Sequence, residues 1–410
     1  MGIEIAIDPE FRALFGCSYP VTYDLAIPPG AEQLSTQVRY GDGTTWGVWL
    51  TLPEISGNNG VAKVRYDYPN NRAYVSVGFD HLTSRPAIQI RALGPAGDEA
   101  PTTLHQVSNY YDNRDYAVSI SWDDWDGGPE HEAFMAAALA CQTRGIWSSV
   151  GINAGGRIDL GNPALSSFQW AEMQSVIDGG FLEPSNHHYH HRHPESAVEA
   201  DLEIGANVDA ITGNVTMPWQ SRMGSEQFVL GHIKPNGLAN TLTLERLASA
   251  GLVGQRNAAA LGGAQYWTTW LSSLSVYDGI APGNDFDTHG QITLRGRFDE
   301  AAAAGGIYVG YGHPYLYDGY PHAWEQVVGV EYDWNDPNDR VVQQLDYIAG
   351  RPEAWYAPLG HLFVYRLVAE QATVVTAATS SPATGTVASG RFVPDAASSF
   401  VAAGQFVRPR

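Results

Sequence analysis

The chain has 410 residues, enough for two domains or for one large domain with an appended one. Apolar residues make up 44% and charged residues 16%, with 44 Gly and 24 Pro scattered along the chain, which excludes wholesale disorder and collagen-like structure. The 44 acidic residues outweigh 23 basic ones for a net charge of −21, and only Lys63 and Lys234 are lysines, so neither nucleic acid nor an anionic lipid surface is an expected partner.

In chain order, the opening MGIEIAIDPEFRALFG lacks the basic and long apolar regions of a secretory signal, and no apolar run reaches the length of a membrane span. A soluble chain without membrane insertion is expected. Residues 1–110 read as strands between turns: STQVRYGDG, TWGVWLTL, GVAKVRYDYPNN, RAYVSVGFD and RPAIQIRALG alternate apolar and polar residues near period two. They predict a small antiparallel β-domain. Its Tyr40, Trp46, Trp49, Tyr66 and Tyr68 either pack in a core or offer a sugar-stacking platform.

From Tyr116 the texture changes to strand AVSISW, helix EHEAFMAAALACQTRG and strand IWSSVGIN, a β-α-β unit. SSFQWAEMQSVIDGG, TLERLASAG, FDEAAAAGG and DRVVQQLDYIAG supply further helices, and VEYDW and IYVGYG further strands. Such alternation predicts an α/β fold, a parallel sheet with outer helices, open or closed as a barrel, with functional residues at the C-terminal strand ends. Residues 371–410 are rich in Ala, Ser and Thr and read as a tail or a few extra strands. Cys17 and Cys141 leave room for one bridge and for no Cys-built metal site. The Gly-rich pieces GINAGGR and ALGGAQ read as turns rather than phosphate cradles.

Two stretches carry chemistry. Asp123 and Asp124 follow directly on the AVSISW strand, where acids either cap a helix or build a site. Asn186-His187-His188-Tyr189-His190-His191-Arg192-His193-Pro194 holds five of the 13 histidines, and an i, i+4 pair, His187 and His191, points to one side if it lies on a helical turn. Two His and one Asp is the ligand count of a catalytic zinc site with an open position. With Asp124 as the third ligand, Asp123 stands where a general base is needed.

The order strand, Asp-Asp, helix, strand, helix, Asn-His-x-x-x-His resembles the NodB-homology polysaccharide deacetylases, grouped with carbohydrate esterase family 4. The resemblance spans roughly residues 112–370, with Ser121-Trp122-Asp123-Asp124 as the first motif and FQWAEMQSVIDGGFLEPSNHHYHH leading to the second. Ile233-Lys234-Pro235-Asn236-Gly237 is similar to the third, where an Arg orients the catalytic Asp; Lys234 or Arg222 takes that place here. Gly306–Pro314 is similar to the fifth, a strand ending in His313, and Asp285 or Asp287 stands for the acid of the fourth. Arg192 occupies a position where the family often has Pro, which here comes at Pro194.

The resemblance implies a NodB-type distorted (β/α) barrel over residues 111–370, after the β-domain of residues 1–110. It implies a hydrolase that removes acetyl groups, from nitrogen or as esters, from a glycan. Asp124, His187 and His191 would hold one divalent ion, zinc first and Co, Ni or Fe as alternatives, with Asp123 as base and His313 as acid. Trp122, Trp125, Tyr311 and Tyr315, with Lys234 and Arg222, would contact the sugar, and His188, His190 and His193 would line the cleft or tune the ligands. A small non-sugar amide is an alternative substrate, and a non-catalytic glycan-binding protein the alternative class. Family habit implies export to the periplasm or beyond, with a cytoplasmic location left open. The sequence carries no signal for oligomeric state.

Overall fold

Period-two patterning in the N-terminal region does produce antiparallel strands, and β-α alternation after it produces a parallel sheet. The computed structural model describes residues 3–7, 19–54, 62–79, 87–217, 228–237, 240–256, 270–271, 276–280, 283–287, 291–314, 332–376, 385–388 and 391–394. The chain divides into two units, one built mainly from Met1–Arg114 and Val364–Arg410, the other from Asp115–Gln220 and Gln227–Phe363.

The first unit contains β1 (Ile3–Ile7), β2 (Val21–Ala26), β3 (Ser35–Gly41), β4 (Leu50–Thr51), β5 (Lys63–Asp67), β6 (Arg72–Val77), β7 (Ala87–Leu93), β8 (Glu99–Ala100) and β9 (Thr103–Val107). One antiparallel sheet runs Ala372–Thr376, β1, β7, β3, β4, with β8 on β7; another runs β5, β6, β2, β9. On β3 and β7 the alternation sends Val38, Ile88 and Ile90 inward, while Gln37, Arg39, Gln89 and Arg91 stay half-buried on the other face. TWGVWLTL, expected as one strand, is a strand only at Leu50–Thr51. Gly47 N–H turns back to the Tyr40 carbonyl at 2.8 Å, so Trp46 to Trp49 form a folded connection instead. Lys63 is fully buried, its ammonium 3.0 Å from the buried Asp112 carboxylate, so it adds nothing to a basic surface.

The second unit contains β10 (Tyr116–Trp125), β11 (Ser148–Ile152), β12 (Leu182–Asn186), β13 (Gly231–Ile233), β14 (Gly254–Arg256), β15 (Trp270–Leu271), β16 (Val276–Ile280), β17 (Gly283–Asp285), β18 (Ile307–Gly312) and β19 (Ala354–Tyr356). Their order is β15, β16, β14, β13, β12, β11, β10, β18, β17, with β19 on β10, and every pairing is parallel except β15 with β16. No pairing joins the two ends among the described strands. Between the strands run α1 (His131–Gln142), α2 (Ser167–Asp178), α3 (Ala197–Ala200), a π-helix (Asp201–Ala206), α4 (Asn207–Asn214), α5 (Thr241–Ser249), α6 (Gln291–Ala303) and α7 (Arg340–Ile348). α2 starts in a capping box between Ser166 and Gln169, and Asp339 caps α7 by accepting from the N–H groups of Val341 and Val342.

All ten residues of β10 are buried, as are those of β11, β12 and β18, because a parallel sheet has both faces covered. The expected strand VEYDW is irregular over its described part, Tyr332 to Trp334. Among the described residues no helix is long and apolar enough to cross a membrane.

Candidate metal centre and its flanking acid and base

β10 carries the acidic pair, and its backbone is irregular there. Its register against β11 shifts between Trp122 and Trp125, and Asp124 has φ +74°. In a regular strand adjacent side chains point to opposite faces. The bulge re-aims Asp124, whose Oδ2 comes to 3.5 Å from His313 Nε2.

Asp124 is buried and faces two imidazoles: His187 Nε2 lies 2.9 Å and His191 Nε2 3.2 Å from its Oδ1. Arg157 Nη1 donates to the other oxygen, Oδ2. Burial acts to raise the Asp124 pKa, but His191, the His187 hydrogen bond and Arg157 together hold it well below the ordinary carboxylate range. His187 Nδ1 donates to the Ile233 carbonyl at 2.8 Å, which in the neutral ring turns the Nε2 lone pair toward Asp124. Burial pushes His191 down to about 3, with the Asp124 charge acting the other way. The Nε2 atoms of both rings thus converge on one carboxylate oxygen. These three donor atoms lie within 4.8 Å of one another and are of the N and O kinds that zinc and similar divalent ions accept, so the residues fit such an ion.

Asp123 stands beside this cluster in a different setting. Arg256 Nη2 donates to its Oδ2 at 2.5 Å and Arg256 Nη1 to Ser121 Oγ at 3.1 Å, while Asp123 Oδ1 is buried without a hydrogen-bond partner among the described residues. The Tyr311 ring covers the guanidinium, with Cζ 4.3 Å from the ring centroid. Arg256 is thus the cation that orients Asp123. Lys234 follows the neighbouring strand β13, its backbone nitrogen 3.4 Å from the Arg256 carbonyl oxygen, and Arg222 lies outside the described residues.

His313 follows β18 and is 29% exposed, its Nε2 3.5 Å from Asp124 Oδ2. Its Nδ1 is bonded to Asp287 Oδ2 at 2.6 Å. Burial opposes the charged ring, but the Asp287 hydrogen bond and charge, backed by Asp124 and Asp123, win and push His313 up to about 10. Asp287, not Asp285, holds the ring; Asp285 Oδ1 accepts the Asp287 backbone N–H at 2.9 Å, and Tyr332 Oη donates to Asp287 Oδ1.

The histidine segment is a loop rather than a helical turn, which corrects the i, i+4 reading. His188 and His191 have φ of +66° and +62°, incompatible with a helix. Other groups converge the imidazoles. Asn153 Nδ2 donates to the carbonyls of His187 and His188 at 2.5 and 2.8 Å, and buried Glu203 on the π-helix accepts the backbone N–H groups of His190 at 2.8 Å and Arg192 at 3.4 Å. Gly155 lets the loop pack closely, because a Cβ on it would lie 2.3 Å from the Tyr189 ring and would have to displace it. His188 stacks on His232 and His193 packs edge-on against His188, so two of the three spare imidazoles support the loop from behind.

Two expected substrate residues are corrected. Trp122 is 1% exposed, against Phe286 and Trp334, and Trp125 is fully buried on Phe134 with its indole N–H 3.1 Å from His131 Nδ1. Both rings are core, because β10 is covered on both faces. Tyr315 lies outside the described residues. Arg157, Arg256, Asn153 and Glu203 escaped the sequence reading. Arg157 and Asn153 sit in GINAGGR, read as a turn, and Arg256 gives one usable signal, a basic residue at the end of a parallel strand.

No protein-family model and no curated protein matches the chain. Among solved structures it is similar to a CE4 family pseudoenzyme from Bacillus anthracis, at 13% identity over 48% of this chain and 54% of that one, with a TM-score of 0.32. It is similar to a family 4 acetyl xylan esterase from Clostridium thermocellum in complex with a cobalt ion, at 13% identity over 61% and 91%, with a TM-score of 0.34. A polysaccharide deacetylase from Bacillus cereus matches at 8% identity over 59% and 85%, with a TM-score of 0.23. The chain spans about half, 54%, of the length of the pseudoenzyme. These likenesses are distant, and the function rests on the residues of the site.

Proposed function

We propose that this chain is a metal-dependent deacetylase with a NodB-type fold, which hydrolyses N-acetyl groups on a glycan outside the cytoplasm. The observation that carries the reading is the Asp124–His187–His191 donor set with an oriented carboxylate, Asp123, on one side and an oriented imidazole, His313, on the other. A divalent ion held by the three donors, zinc first, would lower the pKa of a water and polarise the acetyl carbonyl.

The protein's own groups handle the protons. Arg256 occupies Asp123 Oδ2, so the free Oδ1 takes the proton from water as its oxygen attacks the carbonyl carbon. Asp287 accepts from His313 Nδ1, so a charged ring presents its Nε2 proton to the departing nitrogen. As the C–N bond breaks, that proton makes the leaving group an amine, and the acyl fragment leaves as acetate. Amide cleavage depends on this acid more than ester cleavage does, because an amine anion is a poor leaving group.

Elemental mass spectrometry of the purified chain after dialysis against a weak chelator tests the reading, together with acetate release from acetylated glycans. About one transition-metal ion per chain is expected, with both metal and acetate release lost in His187→Ala. An active chain without metal, or a fully metallated His187→Ala protein, sinks the assignment.

A further inference from the structure

We infer that the outer face of the sheet formed by β3 and β7 is a binding site for a polysaccharide that carries carboxylate groups. This site is independent of the metal centre. The antiparallel register Arg39↔Gln89 and Gln37↔Arg91 puts two cations and two amides on one face of adjacent strands. Trp49, from the connection between β3 and β4, lies on both cations, its ring centroid 4.1 Å from Arg91 Cζ and 4.6 Å from Arg39 Cζ. Trp46 adds a second indole, 5.4 Å from Arg39 Cζ. Two guanidiniums against one ring hold it in place and give up part of their hydration to do so.

Neither cation on this face has an acid within ion-pair distance among the described residues. Arg39 donates through Nε and Nη2 to Gln89 Oε1 at 2.8 and 2.5 Å, and Arg91 through Nε and Nη2 to Gln37 Oε1 at 3.0 and 2.7 Å. Both acceptors are neutral amides, and neither guanidinium pairs with a carboxylate among the described residues. The Nη1 side of each fork therefore keeps its donors for an incoming acceptor. Glu4, opposite Gln89 on β1, accepts from Gln89 Nε2 at 2.9 Å, which leaves two cations against one acid on this face. The rest of this −21 chain repels anions, but salt screens that field beyond about 8 Å at physiological ionic strength, so contact charges decide.

Val48 and Leu50, 77% and 48% exposed, flank Trp49, which is itself half-buried. A flat indole takes the apolar face of a sugar ring, and a planar guanidinium fork takes a carboxylate. A uronate-bearing glycan offers both together. A neutral glycan would leave the cations unmatched, and an acidic peptide would leave the flat ring unused.

Affinity electrophoresis of the full chain in gels containing polygalacturonate or alginate, with dextran as the neutral comparison, tests the site. Retardation by at least one polyuronate is expected, weakening as salt rises. Trp49→Ala and the double variant Arg39→Gln/Arg91→Gln should each weaken it about tenfold or more, Trp49→Tyr should retain most of it, and Asp124→Asn in the metal centre should leave it intact. Thermal unfolding of each variant separates lost binding from lost folding. Equal retardation by dextran, or undiminished retardation of the double variant, overturns the carboxylate assignment. No retardation by either polyuronate, or a loss in Asp124→Asn with none in Trp49→Ala, overturns the site itself.

Discussion

Asp123 and Asp124 are chemically identical neighbours, and their partners set them apart. Asp124 meets two imidazoles and Arg157, whereas Asp123 keeps one buried oxygen unpaired among the described residues. Asp123→Asn removes the proton acceptor and leaves the donor set whole. Turnover should fall by about 10²- to 10⁴-fold with metal content unchanged, measured side by side on one preparation. Near-normal activity in that protein would remove Asp123 as base. His313→Ala should slow release of an N-acetyl group by a similar factor while slowing an activated acetyl ester much less, since an activated leaving group needs no proton. Equal slowing of both substrates would argue against His313 as acid.

At the scale of elements, the site depends on a strand bulge and a loop held by a π-helix. The His187–His193 loop has two left-handed residues and is pinned by Glu203, a carboxylate only 3% exposed. Glu203→Ala leaves the backbone N–H groups of His190 and Arg192 without their acceptor. A destabilisation of about 1–3 kcal/mol is expected. Because the loop carries His191, metal affinity should also drop by about 10- to 100-fold, read by competition with a chelating dye, with Glu203→Gln recovering part of both effects. Unchanged affinity in Glu203→Ala would make Glu203 a scaffold for stability alone.

At the scale of the whole molecule, the buried interior of the parallel sheet sets a pH dependence. Glu183 on β12 is fully buried, and although the Gly360 N–H and Ser149 Oγ donate to it, burial pushes its carboxyl from 4.5 up to about 7. The folded chain therefore binds this proton more tightly than the unfolded one. Its contribution to stability is present below pH 4.5 and is lost as the pH rises through about 7, a change of up to about 3 kcal/mol. Denaturant unfolding at pH 5 and pH 7.5 should show this loss in the parent chain and much less of it in Glu183→Gln. An equal slope in both proteins would assign the pH dependence elsewhere.

Local features were legible from the sequence alone: strand periodicity, helices ending in Gly, the Asp123-Asp124 pair after an apolar strand and the density of histidine at positions 187–193. Each is written within a few residues, where period and chemistry suffice. Most of the partners were not legible. Arg256 is 133 positions from Asp123 and Arg157 is 33 from Asp124, while for His313 the sequence left Asp285 and Asp287 as alternatives, and Asp287 is 26 positions away. Which side chain meets which depends on the order β14, β13, β12, β11, β10, β18, β17, and strand order arises from long-range pairing that no local pattern encodes. The same holds for Trp122 and Trp125, whose neighbours in sequence are site residues but whose rings point into the core. Residue types near a strand end announce chemistry; only the packing of the sheet decides which of them face it.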